Sequence, residues 1–152
     1  MIRVLFVCHG NICRSPMAEF LFKDYVERNN VASKFYIESA ATSTEEIGNP
    51  VHYGTKKILK ELGIDCSNKR ARQIKKSDYT QFDYIIGMDQ YNIQNMKRYF
   101  GDDKKIYSLL EFASVYCDIR DPWYTGDFQA TYEDIMLGIA AFFKFLVIKQ
   151  SI

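Results

Sequence analysis

Hydrophobic and polar positions alternate along this chain in two distinct rhythms. Ile2–Val7 is an apolar, β-branched run broken only by Arg3, the pattern of a strand covered on both faces of a parallel sheet. A short polar loop, Cys8–Arg14, follows. Ser15-Pro16 then announces a helix, with serine as its cap, and Ala18, Leu21, Phe22 and Val26 recur at helical spacing toward Asn29 or Asn30. The pattern predicts further strands over Lys34–Ala40, Phe82–Met88 and Lys105–Leu109. It predicts helices over Val51–Leu62, closed by Gly63, and over Asp89–Phe100, closed by Gly101. Tyr116–Ala130 reads as a loop, and Thr131, with Asp134 in the capping-box position, opens a last helix.

Strand and helix thus alternate throughout. The expected fold is a single α/β domain over residues 1–152: a four-stranded parallel sheet with helices on both faces. Such sheets bind ligands beyond the carboxyl ends of their strands. The loop Cys8–Arg14 leaves the first strand and enters a helix, so it is the first place to look for a site.

Composition narrows the function. Twenty basic residues oppose nineteen acidic ones, and this balance argues against nucleic acid as a partner. The longest apolar stretch, Ile135–Ile148, is interrupted by Lys144 and is too short to span a bilayer, so a buried helix and no membrane partner are expected. The N-terminal run lacks the features of a signal peptide, which predicts a cytoplasmic protein with reduced thiols. Cys8, Cys13, Cys66 and Cys117 are then reactive or buried thiols before they are a disulfide framework.

The loop reads Cys8-His9-Gly10-Asn11-Ile12-Cys13-Arg14-Ser15. A cysteine facing a helix N-terminus meets a positive dipole and unpaired N–H groups, which favour a thiolate nucleophile. Gly10 permits a tight backbone path. Arg14 adds a planar, permanently charged fork that matches two phosphate oxygens. Together these describe a cradle for a tetrahedral oxyanion with a nucleophile at its base. Neither a Walker loop nor a dinucleotide fingerprint is present. Cys8 and Cys13 could form half a zinc site, but no second half accompanies them, so no metal is expected.

Cys-x5-Arg-Ser after a first strand resembles the low-molecular-weight protein tyrosine phosphatases. The resemblance extends through Pro16–Glu19, Ser39–Ser43, Ala71–Gln73, Phe82–Ile85 and Met88-Asp89 to Asp121-Pro122-Trp123-Tyr124. It implies hydrolysis of phosphotyrosine in proteins or peptides, with inorganic phosphate as product and no cofactor. Cys8 would be the nucleophile, Arg14 the phosphate ligand and Asp121 the general acid and base. Trp123 and Tyr124 would wall the phosphotyrosine pocket. His9, at a variable loop position, would lie on its rim, and Ile12 would suit the phenyl ring. Asn11, Ser15 and Ser39 match positions that hold the loop's shape, with Ser15 also donating to Cys8. Cys13 matches a cysteine able to form a protective disulfide with Cys8. A monomer or weak homodimer is expected, with Phe142, Phe143 and Phe145 packed in the core.

Two departures stand out. Glu45 replaces an aromatic residue common at the pocket mouth, which predicts a preference for basic substrates. Asn68, Lys69 and Arg70 stand where a histidine is common before Ala71, which predicts different wiring behind the loop. Two other chemistries use the same loop. Arsenate reductases need two further cysteines close together, whereas Cys66 and Cys117 lie far apart in sequence. Protein-arginine phosphatases typically carry threonine where this chain has Ile12. A catalytically dead phosphate binder would lack Cys8, Arg14 or Asp121, and all three are present.

Overall fold

The Ile2–Val7 run forms an interior strand of the sheet, and its period-two alternation divides the core. Val4 and Phe6 face one layer and Leu5 and Val7 the other, all with no solvent exposure. In the computed structural model, which describes residues 1–152, this strand is β1 (Ile2–Cys8). It pairs in parallel with β2 (Phe35–Ala41) on one side and β3 (Tyr84–Gly87) on the other. β4 (Ile106–Ser108) completes the order β2-β1-β3-β4, all parallel. The expected α/β sheet is therefore present.

The larger core packs α1 (Arg14–Arg28) and the C-terminal helix against the Val4–Phe6 face. Phe22 lies at its centre, with ring centroids 5.8 Å from Phe6, 5.4 Å from Phe35 and 5.3 Å from Phe142. Phe143 and Phe145 pack partly buried against this core. The opposite layer is built on α4 (Gln90–Phe100), whose Ile93 and Met96 cover Leu5, Val7 and Ile85. Asp89 caps α4 and Gly101 ends it with φ 76°, as its sequence predicts. Between β2 and β3 run α2 (Tyr53–Glu61) and the single turn α3 (Asp78–Gln81).

Most strand and helix ends fall within two residues of expectation, and three assignments change in kind. Helix α1 begins at Arg14, and Ser15 does not cap it, because the Ser15 hydroxyl is engaged by the Cys8 sulfur and the Asn11 amide. Tyr116–Ala130 is not all loop. It contains the short α5 (Pro122–Thr125) and the first turn of α6 (Phe128–Gln150). Asp127 rather than Thr131 caps α6, accepting from the Ala130 amide at 2.9 Å. Thr131 is buried inside the helix and its hydroxyl bonds the carbonyls of Arg120 and Asp127. The extra turn is held by Phe128, whose ring packs over Gly54 so closely that a Cβ there would lie 2.5 Å from it. No helix is long and apolar enough to cross a membrane.

Candidate active site

The carboxyl ends of β1 and β3 lie side by side, because Val7 pairs with Gly87. Cys8 ends β1, the loop 9–13 curls above it, and α1 leaves at Arg14. Two residues past the end of β3, Asp89 reaches the same place. The segment carrying Asp121 crosses over from β4. One cavity results, lined by Cys8, His9, Gly10, Ile12, Cys13, Arg14, Glu45, Glu46, Asp121, Trp123 and Tyr124.

Arg14 is the most constrained of these side chains. It is 2% exposed, and its Nη1 donates to Asp89 Oδ2 and to the Ile119 carbonyl, both at 2.8 Å. That leaves the Nε and Nη2 edge as a fork for an oxyanion. Asp121 Oδ2 lies 3.5 Å from Nη2. Burial works against the guanidinium's charge, but the Cys8 sulfur and the carboxylates of Asp89 and Asp121 outweigh it and hold its pKa above the ordinary arginine value.

Cys8 is 3% exposed, at the base of the cavity. The Ser15 amide donates to its sulfur at 3.4 Å, and Ser15 Oγ lies 3.0 Å away. Asn11 Nδ2 donates to Ser15 Oγ at 2.7 Å, which directs the hydroxyl proton toward Cys8 or the Ala40 carbonyl. Cys13 is the other cavity cysteine. Burial, then the Cys8 and Asp121 charges, push the Cys13 thiol up to about 12, so it stays protonated at neutral pH. All four cysteines are free.

Holding that proton makes the stability of the fold depend on pH. An unfolded thiol loses its proton near 9, whereas the folded one holds it to about 12. Between those values the folded state binds more protons, so stability falls as pH rises. Denaturant titrations from pH 8 to pH 11 are expected to show this loss, and Cys13→Ala is expected to flatten it.

Asn11 and Ser15 do not line the cavity. Their side chains lie behind the loop, buried with Ser39. Asn11 adopts φ 59°, a conformation asparagine tolerates, and is pinned there. It donates to Ser15 and, at 2.9 Å, to Ser39 Oγ, while its Oδ1 accepts from the Arg72 amide at 3.2 Å. Ser39 Oγ donates to Glu19 Oε1 at 2.5 Å. Lys69 closes the series, with its Nζ 2.8 Å from the Ser39 carbonyl and 3.3 Å from Glu19. Burial lowers the Lys69 pKa, and Glu19 opposes the shift. The departure at Asn68–Arg70 is thus a lysine ammonium at the end of a hydrogen-bonded chain to Cys8. Lys69→Met is expected to cost about 1–3 kcal/mol, because buried Glu19 loses one of its cations. Urea titration measures the loss, and kcat should fall with it.

At the mouth, His9 Nε2 contacts Glu45 Oε2, and both side chains are more than half exposed. Asp121 caps α5, its Oδ1 accepting from the Trp123 amide at 3.1 Å. Trp123 is 58% exposed on the cavity wall and is not a core residue. The sequence reading missed Glu46, and it did not assign Asp89, Glu19 or the Ile119 carbonyl to the site. Only Asp89 carried a usable signal, its position just beyond a predicted strand's carboxyl end.

The sequence model of low molecular weight phosphotyrosine protein phosphatase matches residues 3–151. The low molecular weight protein-tyrosine-phosphatase YfkJ of Bacillus subtilis is 42% identical over 142 residues, 91% of each chain. Its crystal structure superposes with a TM-score of 0.94 at 39% identity, covering 98% of this chain and 96% of that one. The crystal structure of a Drosophila arginine phosphatase superposes with a TM-score of 0.88 at 30% identity, covering 94% and 96%. The chain therefore belongs to the low molecular weight phosphotyrosine protein phosphatases, a family of hydrolases.

Proposed function

We propose that this protein hydrolyses phosphotyrosine in proteins through a phosphocysteine intermediate. The observation that carries the reading is the convergence of Cys8, Arg14 and Asp121 on one cavity walled by Trp123 and Tyr124. Cys8 Sγ attacks phosphorus as the bond to the phenolic oxygen breaks. Arg14 holds two of the equatorial oxygens through its Nε and Nη2 edge, while N–H groups at the start of α1 hold the rest. Asp121 gives its proton to the departing oxygen. A water molecule then attacks the phosphocysteine, Asp121 takes a proton from it, and the S–P bond breaks. Inorganic phosphate leaves and Cys8 is restored. Each step is balanced by these side chains, with no metal or cofactor.

Ile12 and Trp123 give the cavity apolar walls suited to a phenyl ring. The decisive experiment compares kcat/KM on a phosphotyrosine peptide and on phosphoarginine, with Cys8→Ser as blank. Tyrosine turnover that vanishes in the blank supports the reading. A preference for phosphoarginine overturns the substrate assignment, and absence of both activities overturns the chemistry.

Glu45 and Glu46 make the mouth acidic, with His9 as the facing base. Peptides with basic residues beside the phosphotyrosine are therefore favoured. Glu45→Gln is expected to raise KM for a basic peptide about two- to fourfold, the scale of an exposed ion pair. The effect should fade in high salt. An unchanged ratio of kcat/KM for basic and acidic peptides would remove Glu45 from the specificity.

A further inference from the structure

We propose that His52 is a positioning residue that couples the phosphate loop to the acid-bearing segment. The inference rests on the catalytic reading above, since it concerns the aromatic wall of that site.

The start of α2 touches both halves of the cavity. On one side, the His52 amide donates to the Ile12 carbonyl at 2.9 Å, and the buried Thr55 hydroxyl donates to the Cys13 carbonyl at 3.0 Å. These bonds fix the phosphate loop from outside. On the other side, the His52 ring stacks on Phe128, with centroids 5.1 Å apart and planes 15° apart. It also meets the Trp123 ring edge to face at 5.7 Å. The ring's own orientation is set by its Nδ1, which accepts from the Gly54 amide at 3.1 Å and caps α2. Gly54 is needed for the approach of Phe128, because a Cβ there would lie 2.5 Å from that ring.

The wall requires such a brace. The first part of the segment is tied to the body of the protein: the Ile119 amide donates to the Met88 carbonyl and Arg14 holds the Ile119 carbonyl. Beyond Asp121 the backbone bonds are all local. Tyr124 and Thr125 donate to the Asp121 carbonyl and Gly126 to that of Pro122. Trp123 and Tyr124 are largely exposed. The aromatic contacts of His52 therefore tie this half of the segment to the phosphate loop, alongside the buried Pro122 and the packing of Phe128 over Gly54.

Trp123 is the sole tryptophan, so its fluorescence reports the contact directly. His52→Asn keeps an acceptor for the Gly54 amide and removes the ring; His52→Phe keeps a ring and removes the acceptor. In His52→Asn, the Trp123 emission and its quenching by acrylamide are expected to change. KM for a phosphotyrosine peptide should rise about two- to tenfold, the scale of a lost aromatic pair, with a smaller change in kcat. Inhibition by inorganic phosphate should hold, because the cradle's backbone bonds remain. His52→Phe should stay closer to the wild type in both readouts. Should His52→Asn not fold, Phe128→Leu removes the same stack from the other side and is read in its place. Unchanged Trp123 fluorescence and KM in the ring-less variant would overturn the proposal, as would equal losses in both His52 variants. If the wild-type protein fails to turn over phosphotyrosine, the catalytic reading falls, while the fluorescence still decides the coupling.

Discussion

Replacing Cys8 with serine is expected to abolish turnover of a phosphotyrosine peptide, with kcat reduced by about 10⁴–10⁶-fold, the scale seen when a covalent enzyme loses its nucleophile. The substitution is nearly isosteric and leaves the buried chain Ser15–Asn11–Ser39–Glu19 in place. Arg14 also keeps its anchors on Asp89 and Ile119. Binding should therefore survive while chemistry fails. Inorganic phosphate should still bind Cys8→Ser, measured by calorimetry, within a few-fold of the wild-type affinity. The same substitution at Cys13 should leave a working enzyme, because that thiol is pushed up to about 12 and stays protonated. Equal loss in the two variants would mean that the loop's shape, and not the Cys8 sulfur, had been tested. Rapid-quench detection of a phosphorylated protein, present in the wild type and absent in Cys8→Ser, identifies the intermediate itself.

The contrast between the two cysteines marks how far sequence reasoning reaches. The strand, the loop and the helix that bring Cys8 to a helix N-terminus are local patterns, legible in the run Ile2–Val7 and the spacing of Ala18, Leu21, Phe22 and Val26. Cys8 and Cys13 both occupy the loop, and the burial that keeps the Cys13 thiol protonated is a matter of packing that the local pattern does not contain. The same holds for charges. Arg14 and Asp89 are 75 positions apart, and nothing local links them. They meet because β3 lies beside β1, so that both carboxyl ends finish at the same edge of the sheet. Glu19 and Lys23 stand at i and i+4 on α1, a spacing that by itself suits any exposed pair, yet Glu19 is buried and also takes Ser39 and Lys69. The start of α6 fails for a related reason. A capping pattern at Thr131 before an apolar run is a fair local signal. It loses to Asp127 because Phe128 gains a tertiary partner at Gly54 that the local pattern does not contain.

Asp121→Asn is expected to show the second large effect, and to show it selectively. Asparagine keeps the cap on α5, since an amide oxygen can still accept from the Trp123 amide that Asp121 Oδ1 now holds at 3.1 Å. The aromatic wall should therefore stand, and KM should change little. What disappears is the transferable proton. A tyrosine phenolate has a pKa of about 10 and departs poorly without one, so kcat on a phosphotyrosine peptide should fall about 10²–10⁴-fold, the usual contribution of a positioned acid. An activated aryl phosphate, whose phenolate leaves unaided, should lose much less in the first step. Its turnover is then limited by hydrolysis of the phosphocysteine, where Asp121 acts as base, so a burst of phenolate followed by a slow steady state is expected. That burst separates the two roles of one carboxylate. Similar losses on both substrates with no burst would assign Asp121 to holding Arg14, whose Nη2 it approaches at 3.5 Å, and would move the proton transfer to another group.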